Sequence, residues 1–144
     1  MHNPRPVLIA EDDANDVFLL RRAFQKLGLN HPLVVVHNGQ EAIDYLSNNG
    51  GEANRGNKAG PALLFLDLKM PMLDGFDVLA WLQGRPSTPK LPVIVLTSSN
   101  QEKDVQRALE MGADEYHVKP QQFEELMQIV DKVQHRWLTT GSEM

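Results

Sequence analysis

The chain has 144 residues, 42% hydrophobic and 23% charged, enough for one domain with a buried core and no more. Its 14 basic and 19 acidic residues leave a net charge of -5 with no Lys/Arg run, which speaks against an electrostatic nucleic-acid face. Cysteine is absent, so there is no disulfide framework, thiolate metal site or cysteine nucleophile. No signal-peptide apolar stretch opens the chain and no apolar run is long enough for a bilayer, so a cytoplasmic domain with no membrane partner is expected.

Strand-like apolar runs alternate with stretches of helical period, the pattern of βα units around a parallel sheet. The first strand is expected at about residues 7–11. A helix follows, beginning at Asp13 to Asp16, whose side chains can cap free N–H groups. Its stripe Val17, Leu20, Phe24, Leu27 stops at Gly28. A second strand at 33–37 leads to a helix at 40–47, and residues 48–60, with four glycines and almost no apolar side chain, read as a long exposed loop. The third strand, 62–67, is followed by a helix announced by Asp74-Gly75, with Phe76, Leu79 and Leu82 on one face and a stop before Gly84. A strand at 93–97 precedes a helix at 102–111, and a strand at 113–119 precedes a helix carrying Phe123, Leu126, Val130, Val133 and Trp137.

Four of these strands end on residues with chemistry. Glu11-Asp12-Asp13 follows the first apolar run, Asp67 the third, Thr97 closes the fourth and Lys119 the fifth. In open α/β sheets the carboxyl ends of the strands form one crevice, so groups this distant in sequence can meet. Taken singly, each has an ordinary explanation: acids at strand ends cap the next helix, and a strand-end Thr or Lys is solvated. Their conjunction points to chemistry. Mg²⁺ takes oxygen ligands and keeps several waters, so Asp12 and Asp67 suffice for it, with Glu11 holding a bound water. Three crowded acids repel one another, so a cation or a protonation shift is expected. A carboxylate can also act as a nucleophile toward phosphorus, with Lys119 offering one point charge and Thr97 one hydroxyl to the phosphoryl oxygens.

From about Pro6 to Leu138 the sequence resembles the receiver domains of two-component response regulators. Val7-Leu8-Ile9-Ala10-Glu11-Asp12-Asp13 is similar to the family's first strand and acid pair. Phe65-Leu66-Asp67-Leu68-Lys69-Met70-Pro71 is similar to its phosphoacceptor strand, Val93-Ile94-Val95-Leu96-Thr97-Ser98 to its hydroxyl-bearing strand, and Tyr116-His117-Val118-Lys119-Pro120 to its lysine-bearing one. The resemblance implies a flavodoxin-like (βα)5 fold with strand order 2-1-3-4-5. It implies Asp67 as the phosphoacceptor, assisted by Thr97 and Lys119, and a Mg²⁺ or Mn²⁺ site formed by Glu11 through water, Asp12, Asp67 and the Lys69 backbone carbonyl. It further implies a switch pair, Thr97 and Tyr116, and a sensor histidine kinase as donor. Without it, Tyr116 reads as a half-buried strand aromatic, and the Lys69 side chain as solvated.

Only residues 139–144 follow the fifth helix, so a stand-alone receiver without an output domain is expected. The loop at 48–60, Asp67-Leu68-Lys69-Met70-Pro71 and Gln134-His135-Arg136-Trp137-Leu138 are similar to stand-alone regulators paired with bacterial phytochrome kinases, which implies a bacteriophytochrome as kinase. That group implies a homodimer through the fourth helix, fifth strand and fifth helix, where Met127 and Ile129 widen the apolar face. The five histidines show no metal-ligand spacing, and His135 reads as a surface residue. Competing classes fit less well. An aspartate-nucleophile phosphatase usually places an acid where Lys69 stands, and a flavin-type phosphate cradle would be repelled by Glu11-Asp12-Asp13. A phosphorylation-independent interaction module on the same fold is the alternative that survives.

Overall fold

The computed structural model describes residues 4–49, 60–85 and 90–138. Ten elements alternate along the chain: β1 (Val7–Ala10), α1 (Ala14–Lys26), β2 (Leu33–Val36), α2 (Gly39–Asn49), β3 (Leu63–Leu66), α3 (Gly75–Gln83), β4 (Val93–Thr97), α4 (Glu102–Glu110), β5 (Glu115–Val118) and α5 (Phe123–Trp137). The five strands form one parallel sheet in the order β2-β1-β3-β4-β5, the flavodoxin-like doubly wound topology that the family resemblance implies.

Alternation along the strands splits the core in two, as a period of two requires. Leu8, Ala10, Leu64, Leu66, Val93 and Val95 face Ala42, Leu46, Val78, Leu79 and Ala108 of α2, α3 and α4. Val7, Ile9, Leu63, Phe65, Ile94 and Leu96 face Leu20, Ala23, Phe24, Leu126, Val130 and Val133 of α1 and α5. Every residue of β1 and β3 is buried, because helices cover both faces. Phe24 meets Phe65 edge to face at 6.2 Å, anchoring α1 on β3. At the sheet edge Glu115 accepts hydrogen bonds from Arg136 (2.9 Å) and the Trp137 indole (2.8 Å), which pins the end of α5 to β5.

Several boundaries differ from expectation for local reasons. β1 and β3 end one residue before Glu11 and Asp67, which join the sheet only through their backbone N–H groups. β5 begins at Glu115 rather than 113, because the Ala113 N–H closes back on the Ala108 carbonyl. α2 continues to Asn49, past the expected start of the loop at 48, and most of that loop lies outside the described residues. On α3 the buried residues are Gly75, Val78 and Leu79, while Phe76 and Leu82 are half-buried against the same core.

Candidate phosphoacceptor and metal site

Register decides which side chains meet. Ala10 stands level with Leu66, Leu66 with Val95, and Thr97 with Val118. Glu11, Asp67 and Lys119 are each the next residue after a strand, so all three leave the sheet at the same edge. The ladder carries a little beyond the strands: the Asp67 N–H donates to the Ala10 carbonyl (3.1 Å), and the Lys119 N–H to the Thr97 carbonyl (2.7 Å). Because β1 lies between β2 and β3, the crevice opens at the topological switch point.

The Lys119 ammonium is the hub. Its Nζ lies 2.9 Å from Glu11 Oε1, 2.6 Å from Asp16 Oδ2 and 3.0 Å from Asp67 Oδ2. An ammonium has three N–H donors, and here each has a carboxylate. Glu11 and Asp67 are almost wholly buried, while Asp12 is exposed at the rim. Carboxylate oxygens of Glu11, Asp12 and Asp67 fall within 4.8 Å of one another, close enough to share one cation. Hard oxygen donors of this kind, part buried and part open to water, fit Mg²⁺ or Mn²⁺.

Electrostatics record the crowding. Burial pushes the Glu11 carboxyl up to about 7; the Lys119 and Asp13 hydrogen bonds oppose that rise, and the Asp67 charge adds to it. Burial alone would weaken the Lys119 ammonium, but its hydrogen bonds to Asp16, Glu11 and Asp67 raise it above the ordinary lysine value. The expected protonation shift therefore falls on Glu11.

The other residues singled out from the sequence take distinct places. Thr97 is fully buried, and its Oγ1 is the one buried side-chain polar atom without a hydrogen-bond partner among the described residues. Lys69 is exposed, and its backbone N–H donates to Asp67 Oδ1 at 3.2 Å. Asp13 caps α1, accepting from the Asn15 and Asp16 N–H groups, and so has the structural role open to any acid there. Tyr116 is half-buried and donates its hydroxyl to the Ser99 carbonyl (3.0 Å). His135 is exposed on α5, as expected.

Sequence reasoning missed two parts. Helix-start chemistry is all that the sequence shows of Asp16, yet it makes the shortest contact to Lys119. The available signal was its place in the first turn of a helix, where side chains tilt back toward the N-terminus and the strand ends. Ser99 is buried and donates to Asp104 at 2.5 Å, tying the loop after β4 to α4, and nothing in its spacing announced that. Beside Asp12, an open cleft of about 570 Å³ is lined by Lys69, Asp74, Asp104 and Arg107, with the Arg107 guanidinium over the Phe76 ring at 4.0 Å.

The sequence pattern of the response regulator receiver domain matches residues 7–131, from β1 into α5 and through every site residue above. The chain belongs to the response regulator receiver family. Two curated relatives match this receiver nearly end to end. Rcp1, a response regulator of Synechocystis, is 31% identical over 137 residues, covering 95% of this chain and 91% of its own. FilR2, a probable methanogenesis regulatory protein of Methanothrix harundinacea, is 32% identical over 136 residues, covering 94% of this chain and 85% of its own. Among solved structures, the phosphorylated cyanobacterial phytochrome response regulator RcpA matches the receiver with a TM-score of 0.81 at 31% identity, over 95% of this chain and 96% of that one. The Mn²⁺-bound form of Rcp1 matches with a TM-score of 0.79 at 30% identity, over 95% and 96%. No helix among the described residues is long and apolar enough to cross a membrane.

Proposed function

We propose that this receiver accepts a phosphoryl group on Asp67 from a partner histidine kinase, in a reaction that needs a divalent cation. The observation that carries the reading is the Lys119 ammonium held 3.0 Å from Asp67 beside carboxylates able to share one cation. One Asp67 oxygen attacks phosphorus, the N–P bond of the donor phosphohistidine breaks, and its electron pair stays on the imidazole, which takes a proton from solvent. Attack by water later cleaves the acyl phosphate, returning Asp67 and inorganic phosphate. Asp12, Asp67, the Lys69 carbonyl and Glu11 through water would hold a Mg²⁺ or Mn²⁺, which when bound would supply charge neutralisation at the phosphoryl group. Lys119 neutralises a further phosphoryl oxygen, and Thr97 donates to another, giving its unpartnered Oγ1 the contact that it lacks at rest.

Signal output follows from the same hydroxyl. As Thr97 turns to the phosphoryl group, Tyr116 moves into the space left behind, releases the Ser99 carbonyl and changes the α4-β5-α5 surface, by shift of a pre-existing equilibrium. Contacts on that surface with a second copy are the proposed dimer. Met127 and Ile129 pack partly against the chain's own core and are partly exposed on α5. Leu109 on α4 and Val118 on β5 are exposed apolar side chains of that region. Likeness to the cyanobacterial phytochrome response regulator RcpA and to the bacteriophytochrome response regulator AtBRR supports a phytochrome-type kinase, such as a bacteriophytochrome, as the partner.

Intact mass after incubation with phosphoramidate tests the chemistry, with and without Mg²⁺ and beside Asp67→Asn. A single Mg²⁺-dependent phosphoryl adduct on the wild type, absent from the variant, is expected. An adduct persisting in Asp67→Asn would place the nucleophile elsewhere, and none on folded wild-type protein would favour a phosphorylation-independent interaction module.

A further inference from the structure

We propose that Asp16 is a positioning residue for phosphoryl transfer, holding the Lys119 ammonium at the mouth of the site from the first turn of α1. The inference rests on the phosphoacceptor reading of Asp67 and adds a residue to it. Of the three carboxylates on Lys119, two have other work in that reading: Glu11 and Asp67 belong to the group whose oxygens can share a cation. Asp16 stands outside that group, and its contact, at 2.6 Å, is the shortest of the three. When Glu11 and Asp67 turn to a cation and a phosphoryl group, Asp16 is the carboxylate that stays with the lysine.

Its support is rigid. Asp13 caps α1 and binds the Asp16 N–H, and α1 is fixed to the sheet and to α5 through Leu20, Ala23 and Phe24. A lysine is a point charge on a flexible four-carbon stem, so a fixed anion beside it narrows the positions that its ammonium visits. Reaction at a positioned group is sensitive to such placement. The competing explanation is an acid that merely favours a helix N-terminus, which would act on stability alone.

Two measurements separate these accounts. In the unphosphorylated protein saturated with Mg²⁺, where Glu11 and Asp67 turn to the cation, the Lys119 ammonium protons are expected to exchange slowly enough for detection by NMR. The signal should vanish in Asp16→Ala and persist, weakened, in Asp16→Asn, which keeps an oxygen acceptor. In phosphoramidate labelling followed by intact mass, Asp16→Ala should react on the order of tenfold more slowly, the loss expected for one charge-assisted hydrogen bond, and Asp16→Asn should fall between. In a Lys119→Ala background the Asp16→Ala change should have no further effect, because the residue acts through the lysine. An unchanged or faster rate in folded Asp16→Ala, or an equal slowing in the Lys119→Ala background, would overturn the proposal. If Lys119→Ala takes up no phosphoryl group, the NMR signal decides: its survival in Asp16→Ala sinks the idea. Failure of the wild type to label would instead count against Asp67 as acceptor.

Discussion

Thr97 carries a buried hydroxyl with no hydrogen-bond partner among the described residues. The residue lies fully buried at the end of β4. A buried unsatisfied hydroxyl costs about 1–3 kcal/mol, so the group is tolerated for what it does when an oxyanion arrives. Replacing it with the near-isosteric valine removes the penalty and leaves the shape. Thr97→Val is therefore expected to raise the stability of the unphosphorylated protein by about 1 kcal/mol in urea unfolding, while slowing phosphorylation and uncoupling Tyr116 from it. Thr97→Ser should do the reverse, keeping labelling but losing about 1 kcal/mol for the missing methyl. A valine variant less stable than wild type would mean that the hydroxyl is satisfied at rest.

At the scale of elements, the site depends on how closely α3 approaches the loop after β3. Asp74 caps α3 reciprocally with Asp77, and the Gly75 N–H donates to the Leu68 carbonyl at 3.0 Å. A Cβ on Gly75 would fall 2.5 Å from the Asp67 carbonyl oxygen and 2.7 Å from Leu68 Cα, both backbone atoms. Gly75→Ala must push that loop away from the sheet edge. A loss of about 1–3 kcal/mol is expected, with slower labelling of Asp67. Gly28→Ala is the control: at φ +70° it is strained but meets nothing within 4 Å, so it should cost about 1–2 kcal/mol and leave labelling intact. The sequence made α3 and its cap legible, and likewise the strands, because apolar runs and turn residues are local signals. The close contact at Gly75 was not legible, since it pairs backbones seven or eight residues apart through a turn that periodicity does not describe. Asp16 was hidden for a similar reason, since its side chain crosses from a helix to a strand end and leaves no mark in spacing, and Ser99 because a loop hydroxyl bonding the first turn of the next helix has no periodic signal. Glu11, Asp67, Thr97 and Lys119 were legible because each directly ends or follows an apolar run, and the parallel topology brings those ends together.

For the whole molecule, this concentration of acids makes stability depend on pH and on divalent cations together. Glu11 in the folded protein takes up its proton near 7, against an ordinary value of 4.5. Between those limits the folded state holds a proton that the unfolded state has released. Stability from this group is therefore present below about pH 4.5 and declines as pH rises toward 7, by up to roughly 3 kcal/mol at 1.36 kcal/mol per pH unit. Lys119 does not offset the trend, since its raised value keeps it charged throughout that window. A cation reverses the balance, because it binds the ionised carboxylates of the folded state and displaces the proton. In EDTA, urea unfolding from pH 5 to pH 8 should show the decline, and Glu11→Gln should remove most of it while being the more stable protein at pH 8. With saturating Mg²⁺ the wild type should gain about 2.7 kcal/mol at 100 times the dissociation constant. That gain should shrink toward pH 5 and disappear in Asp12→Asn. Wild type and Glu11→Gln with parallel pH profiles in EDTA would show that Glu11 ionises normally. A Mg²⁺ gain surviving in Asp12→Asn would move the cation away from the three carboxylates at the crevice.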